Sequence, residues 1–330
     1  MRAPEFWNSD GVPARLLDPI GKLYGLAGTL RRRWATPSKA RIPVICVGNL
    51  TVGGTGKTPT AMAVAQQLLD QGHRPHFLTR GYGGRERGPP ILVSPETHDA
   101  LDVGDEPLLL ARMAPTWVSP DRVTGATLAT QAGATHLIMD DGLQNPYLAK
   151  DLTFVVIDGT TGFGNERLLP AGPLRESIDQ ALSRIDAAIV IGADQAGIRQ
   201  RLPAGLLTLT AHLQPSADAQ RFRGARVLAF AGIGRPEKFY ETLDGIGADL
   251  VETRSFPDHH RFNALEIDAI LERARQFDAA CVTTEKDHVR LPVNLKNTVE
   301  KLAISVAFKE PDQLQNLLQH LPFSHAAGAN

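Results

Sequence analysis

The segment Thr51-Val52-Gly53-Gly54-Thr55-Gly56-Lys57-Thr58 carries the densest chemistry in the chain. Glycines at 53, 54 and 56 let backbone N–H groups turn inward around phosphate oxygens, and a helix starting just beyond them adds the positive end of its dipole. Lys57 is expected to reach the β- and γ-phosphates of a nucleotide, and the Thr58 hydroxyl to hold Mg²⁺. Pro59 falls where a first helical turn has no use for an N–H. One position departs from the usual G-x-x-x-x-G-K-[ST] spacing: Thr51 stands where the first glycine is common. The intact Gly-Lys-Thr, on the end of the apolar run 44–49, still specifies a phosphate loop.

A second signal supports the first. Thr135-His136-Leu137-Ile138-Met139 delivers Asp140-Asp141 at the end of an apolar run, the way this class of fold supplies carboxylates to Mg²⁺ or its water shell. Other segments are more ambiguous on residue type alone. Asp105 and Glu106 open a helix, where acidic residues suit the dipole, yet a carboxylate there could also take the proton of an attacking hydroxyl. Phe256-Pro257-Asp258-His259-His260-Arg261-Phe262 reads as a loop with solvated histidines, because no further His or Cys sits at zinc-ligand spacing. Thr79-Arg80-Gly81-Tyr82-Gly83-Gly84 is a basic loop after a strand, suited to an anionic substrate or merely to a turn. Gly232-Ile233-Gly234 is too short for a dinucleotide fingerprint, and Thr283-Thr284-Glu285-Lys286-Asp287 lacks the Asn of a guanine-reading loop.

These residues need a scaffold that presents strand ends. Apolar runs at 42–47, 76–79, 116–118, 136–139, 153–157 and 187–191 alternate with helical stretches at 59–71, 106–113 and 121–132. That is the pattern of a P-loop NTPase-like, doubly wound, largely parallel α/β sheet. A polar stretch at 213–224 marks a boundary near residue 215, and a second set of strands (226–230, 249–251, 279–284, 302–307) and helices (236–245, 264–277, 311–320) follows. The expected division is a nucleotide-binding unit over 41–215 and a smaller α/β unit over 216–330 that closes over the site. The tail beyond Pro322 is expected to fray.

Residues 1–40 form an appendage. Asp18-Pro19 reads as a helix start, with the helix running to about Trp34. Leu16, Ile20, Leu23, Ala27, Leu30 and Trp34 recur at helical spacing, and Arg31, Arg32 and Arg33 close it. Such a face suits an anionic membrane surface or packs on the following domain.

A net charge of −1 over 330 residues gives no support for nucleic-acid binding. The two cysteines, Cys46 and Cys281, sit in apolar runs and read as reduced core residues. No apolar stretch approaches the roughly 20 residues that span a bilayer, and Asp10, Gly11 and Asp18 interrupt any signal-peptide core. Nothing calls for an obligate protein partner.

Taken together, the motifs resemble the tetraacyldisaccharide 4′-kinase family of lipid A biosynthesis. The matches are 47–59, Arg80-Gly81-Tyr82-Gly83, 103–107, Asp140-Asp141-Gly142-Leu143-Gln144, 169–176, Phe256-x-Asp258-His259 and Thr284-Glu285-Lys286-Asp287. The resemblance implies ATP- and Mg²⁺-dependent phosphorylation of the 4′-hydroxyl of a tetraacylated glucosamine disaccharide 1-phosphate. It also implies a peripheral enzyme on the cytoplasmic face of the bacterial inner membrane, with an N-terminal helix on the lipid. By resemblance Asp105 matches the base, His259 its helper, and Asp140 and Asp141 the magnesium-side carboxylates. Arg80, Tyr82, Glu106, Gln144, Arg175 and Glu176 fall in motifs expected to meet substrate. The rival is a membrane-associated P-loop ATPase switch with no lipid acceptor, but Val52 occupies the place of that class's second lysine.

Overall fold

A computed structural model of the chain describes residues 4–85 and 88–321; the tail beyond Pro322 lies outside them. The strands are β1 (Val44–Gly48), β2 (Pro75–Thr79), β3 (Ile91–Leu92), β4 (Thr116–Val118), β5 (His136–Asp140), β6 (Leu152–Asp158), β7 (Ala187–Ile191), β8 (Leu207–Pro215), β9 (Arg226–Ala231), β10 (Asp249–Ser255), β11 (Ala280–Thr284), β12 (Glu300–Leu302) and β13 (Ile304–Phe308). The helices are α1 (Val12–Trp34), α2 (Lys57–Asp70), α3 (Asp105–Ala111), α4 (Arg122–Gln131), α5 (Ile178–Leu182), α6 (Ile198–Arg201), α7 (Pro236–Ile246), α8 (Ala264–Gln276), α9 (Glu285–Arg290) and α10 (Pro311–Gln319).

Nine strands form one sheet in the order β13-β8-β7-β6-β1-β5-β2-β4-β3, parallel except at its two edges, β13 on β8 and β3 on β4. The central strands are buried on both faces, as continuous runs such as Val44-Ile45-Cys46-Val47 require. On one face Ala61, Val64 and Leu68 of α2 pack with Leu110 of α3 and Leu314 and Leu318 of α10. On the other, Ala126 and Ala129 of α4 pack with Leu182 of α5 and Ile198 of α6. The smaller sheet, β10-β9-β11-β12, is parallel throughout, with Phe239 and Leu243 of α7 on one side and Ile267 and Ile270 of α8 on the other. Both cysteines are buried, and burial pushes their thiols up to about 12, so they are packing groups.

Three boundaries differ from the sequence expectation. The run 302–307 is two strands, not one: β12 ends in the small sheet, and after Ala303 β13 pairs with β8 in the large one. The second unit is therefore not continuous over 216–330, since residues 304–321 return to the first core. The strand β8 lies where a polar boundary was expected, because its outer half faces solvent. Finally, α1 begins at Val12 rather than at Asp18, with Pro13 in its first turn and Pro19 inside it. Asp18 does not cap the helix. It pairs with Lys22 at 2.9 Å and Arg167 at 2.6 Å.

The docked face of α1 is made of small residues. Ala14 and Gly21 are its buried positions, and a Cβ on Gly21 or Gly25 would stand 2.9 Å and 2.5 Å from atoms of Leu168. Its large apolar residues point outward instead: Leu16 is 74% exposed, Leu23 67% and Trp34 78%.

Candidate active site

The phosphate loop joins β1 to α2 at the carboxyl end of the large sheet, between β5 and β6, where open α/β sheets bind ligands. Its left-handed residues are Gly53 (φ 124°) and Gly56 (φ 86°). Thr51 is not among them. It makes an antiparallel bridge to Leu174, an extended setting that a β-branched residue suits, which explains why no glycine is needed there. Val52 N–H donates to Pro173 C=O at 2.8 Å. Beneath the loop, Asn49 Nδ2 donates to Thr51 C=O at 2.6 Å and to Thr55 Oγ1 at 3.1 Å. No atom lies within 4 Å of where a Cβ on Gly53 or Gly54 would stand, so the mouth of the loop is open.

Two carboxylates at the end of β5 face this loop in different states. Asp140 is buried, and its Oδ2 accepts from Thr58 Oγ1 at 2.9 Å while its Oδ1 has no partner. Burial, with Glu106 nearby, pushes its pKa up to about 7 despite the Lys57 charge. Asp141, in the left-handed region at φ 57°, accepts from Arg175 Nη1 at 2.9 and 2.8 Å and lies 3.8 Å from Lys57 Nζ. Burial would raise its carboxyl, but Lys57 and Arg175 outweigh that and hold it below the usual range.

A third carboxylate arrives from the side. Gly104 (φ 92°) lies so close to the 80–84 loop that a Cβ would stand 2.5 Å from Tyr82 C=O, and the next residue, Asp105, opens α3. Asp105 is buried against the smaller sheet's α9. Arg290 Nε donates to its Oδ2 at 3.0 Å, and Arg290 Nη2 donates to the same oxygen. His259 Nδ1 lies 3.4 Å away, on a loop after β10 whose φ of 58° turns it toward the larger unit. Burial would raise Asp105. The contact with His259 and the charges of Arg290 and Lys286 overcome it and hold the carboxyl well below its ordinary range.

The structure brings most of the expected residues to one edge. Lys57, Thr58, Asp140, Asp141 and Arg175 ring the loop, and Asp105 meets His259 across the seam. The two histidines part company: His260 turns away, stacked on Phe256 at 4.8 Å and 3.1 Å from Glu266, while His259, in an exposed turn as expected, also faces Asp105. Tyr82 is exposed with its ring 6.2 Å from that of His259, and Arg80 is exposed two residues earlier in the chain. Glu106 is held by Lys286 Nζ at 2.7 Å.

Two expected substrate contacts sit elsewhere. Glu176 is 2% exposed, and its carboxylate is taken by Arg32 at 3.2 Å, by Arg184 and by Gln144 Nε2 at 3.1 Å. Gln144 also donates to Asn49 C=O at 3.0 Å. With their polar atoms so engaged, both tie α1 and the strand end together rather than facing a ligand. Sequence reasoning missed Asn49, Arg290 and Arg235. Arg235, from the smaller unit, pairs with Asp158 at the end of β6 and approaches Gly54 C=O at 3.4 Å. Only Asn49 had a visible signal, a polar residue closing an apolar strand.

A strand–loop–helix phosphate site with carboxylates at the adjacent strand end and a carboxylate–imidazole pair beside it defines a P-loop phosphotransferase. The sequence model of the tetraacyldisaccharide-1-P 4′-kinase family matches residues 13–322. A tetraacyldisaccharide 4′-kinase of Rhodospirillum rubrum is 51% identical over 97% of this chain and 98% of that relative. One of Parvibaculum lavamentivorans is 55% identical over 88% and 87%. The crystal structure of LpxK from Aquifex aeolicus in complex with ATP superposes with a TM-score of 0.75 at 28% identity, covering 93% of this chain and 99% of that one. The chain belongs to the tetraacyldisaccharide 4′-kinase family.

The state of Asp140 has a consequence for stability. An unfolded aspartate releases its proton near 3.8, the folded one near 7, so stability present at low pH is lost as pH rises between those values. Asp140→Asn should therefore raise the melting temperature of the metal-free protein at pH 8 and leave it nearly unchanged at pH 4. Equal melting temperatures at pH 8 would contradict the buried, uncompensated carboxylate.

Proposed function

We propose that the chain transfers the γ-phosphoryl of ATP to the 4′-hydroxyl of a tetraacylated glucosamine disaccharide 1-phosphate, a step of lipid A biosynthesis. The observation that carries this reading is the meeting of Asp105 and His259 beside a complete phosphate loop. A switch ATPase has no need of a carboxylate–imidazole pair displaced from its loop. An alcohol acceptor does, because its proton must leave as the phosphoryl group arrives.

The loop amides of 53–58 cradle the phosphates and Lys57 spreads positive charge over the β–γ bridge. Among the described residues no cluster of three or more His, Cys, Asp or Glu converges on a metal position. Mg²⁺ bound with nucleotide phosphates asks for less: one or two carboxylates, a hydroxyl and waters. Thr58, Asp140 and Asp141 fit it, and the unpartnered, buried Asp140 Oδ1 is an acceptor in need of a cation. When bound, the ion would neutralise charge on the phosphate oxygens. Asp105 receives the hydroxyl proton as attack proceeds, and His259 orients the acceptor or shares the charge. Tyr82, exposed beside His259, and Arg80, exposed at the start of the same loop, would receive the sugar and its phosphate.

The lipid comes from a membrane surface. No described helix is long and apolar enough to cross a bilayer. The outward face of α1, with Val12, Leu16, Ile20, Leu23 and Trp34 exposed, supports a helix lying on an anionic leaflet, Arg31 and Arg33 at its end. We assign the protein to the cytoplasmic face of the inner membrane, peripherally bound.

Labelled ATP, Mg²⁺ and a detergent-dispersed disaccharide lipid test the reaction. Lys57→Ala should abolish transfer with an unchanged thermal melt, and near-parental turnover would contradict the phosphate-loop assignment. For the helix, Leu16→Glu combined with Leu23→Glu should weaken binding to anionic vesicles by about tenfold or more and raise the KM for lipid, at constant melting temperature. Unchanged vesicle binding with a lowered melting temperature would mean that this face packs on protein.

A further inference from the structure

Asn49 follows the last residue of β1 and is wholly buried. Its side-chain amide spans the phosphate loop from below. Nδ2 donates to Thr51 C=O at 2.6 Å, where the loop begins, and to Thr55 Oγ1 at 3.1 Å, two residues before Lys57. Of the two ends of the amide only the nitrogen can face a carbonyl oxygen at that distance, which fixes the orientation of the group. Oδ1 then points to a buried place where it meets no donor among the described residues. A buried acceptor without a partner is unfavourable, so the two donated bonds are what hold the amide this way round.

The backbone beside it is held as well. Gln144 Nε2 donates to Asn49 C=O at 3.0 Å, and Arg175 N–H donates to Leu50 C=O at 2.8 Å. The loop above is the opposite case. Gly53 and Gly54 have no side chain to pack and border open space, and Gly53 and Gly56 both lie in the left-handed region. Glycines give a backbone wide freedom, and freedom that must be lost on binding subtracts from affinity. Thr51 is already extended against Leu174, and Val52 N–H is tied to Pro173 C=O at 2.8 Å, so the entry of the loop has an outside support. Asn49 carries that support across to the exit.

We propose that Asn49 is a positioning residue for the β-phosphate of the nucleotide: its side-chain amide pins the loop's entry at Thr51 to its exit at Thr55, so that the 53–56 amides are aimed before the nucleotide arrives. This rests on 51–58 being a phosphate loop. Asn49 lies beneath the loop and acts through it.

Affinities of the nucleotide-free enzyme for AMP and ADP, measured by calorimetry, separate this role from packing. The two ligands share adenosine and the α-phosphate, and ADP alone carries the β-phosphate that loop amides and Lys57 hold. Asn49→Leu keeps the buried volume and removes both donated bonds. It should weaken ADP binding about tenfold or more, leave AMP binding nearly unchanged, and raise the KM for ATP with little change in the KM for lipid. An ADP-to-AMP preference equal to the parent's would overturn the proposal. Equal losses for both ligands with a lowered melting temperature would overturn it too, and would mark Asn49 as a packing group. If Asn49→Leu does not fold, Asn49→Ser decides by the same ratio, because one hydroxyl hydrogen cannot serve both Thr51 and Thr55. A parent that binds AMP and ADP alike would sink the phosphate-loop reading itself, whereas a parent preference that survives in the variant removes only the role of Asn49.

Discussion

A buried carboxylate at the start of α3 meets a buried guanidinium at the end of α9, and without that contact the Asp105 carboxylate would lose its arginine while Arg290 kept only Asp287 and Gly232 C=O. Asp105 and Arg290 are both almost wholly withdrawn from water, and the rest of the site is arranged around their contact. Such a pair adds little net stability over an apolar contact, but breaking it is expensive, so it specifies one relative placement of the two units. That placement carries His259 to Asp105 and Lys286 to Glu106. On the other flank of the phosphate loop, Arg235 and Lys238 both approach Asp158. The apolar contribution at the α3–α9 contact is modest, with Val289 packed among Val103, Leu108, Leu109 and Val118. The contacts that flank the nucleotide loop from the smaller unit are thus mostly charge pairs.

The chain's path limits how far the units can part. It enters the small sheet through the 217–222 turn and leaves it at Ala303, where β12 ends and β13 returns to β8. The two crossings lie side by side, with Ser216 N–H donating to Ala303 C=O at 3.0 Å. The docking of α1 is independent of this seam: Arg32 reaches Glu176, and the glycine face closes on Leu168, so the helix is rigidly mounted with its leucines turned outward. This helix and the nucleotide site thus share one body, and the smaller unit supplies His259.

Much of this was legible in the sequence wherever one residue type has one use. Gly-Lys-Thr after a buried strand, and Asp140-Asp141 after another, define the nucleotide side, and both central strands read as runs buried on two faces. The failures have physical causes. β8 shows no continuous apolar run because its outer half is solvated although it pairs on both sides, and the β12–β13 break leaves no mark because Ala303 is no turn signal. α1 was started late because Asp18-Pro19 imitates a cap, whereas Asp18 serves long-range pairs with Arg167. Gln144 and Glu176 lie in two motifs that resemble the family's, and only their partners reveal a scaffolding place. Arg290 left no trace in local sequence, because its meaning depends on residue 105, which only the tertiary fold brings near.

Asp105 from one unit and His259 from the other are proposed to act as one catalytic pair. The direct measurement is a double-mutant cycle on kcat, with ATP and lipid acceptor saturating, for Asp105→Ala, His259→Ala and both together. Residues acting in one step should each lower kcat strongly, with the double variant little worse than the more damaging single one. Losses that multiply, or a His259 variant with normal turnover, would contradict the claim and leave Asp105 as a carboxylate that merely opens a helix.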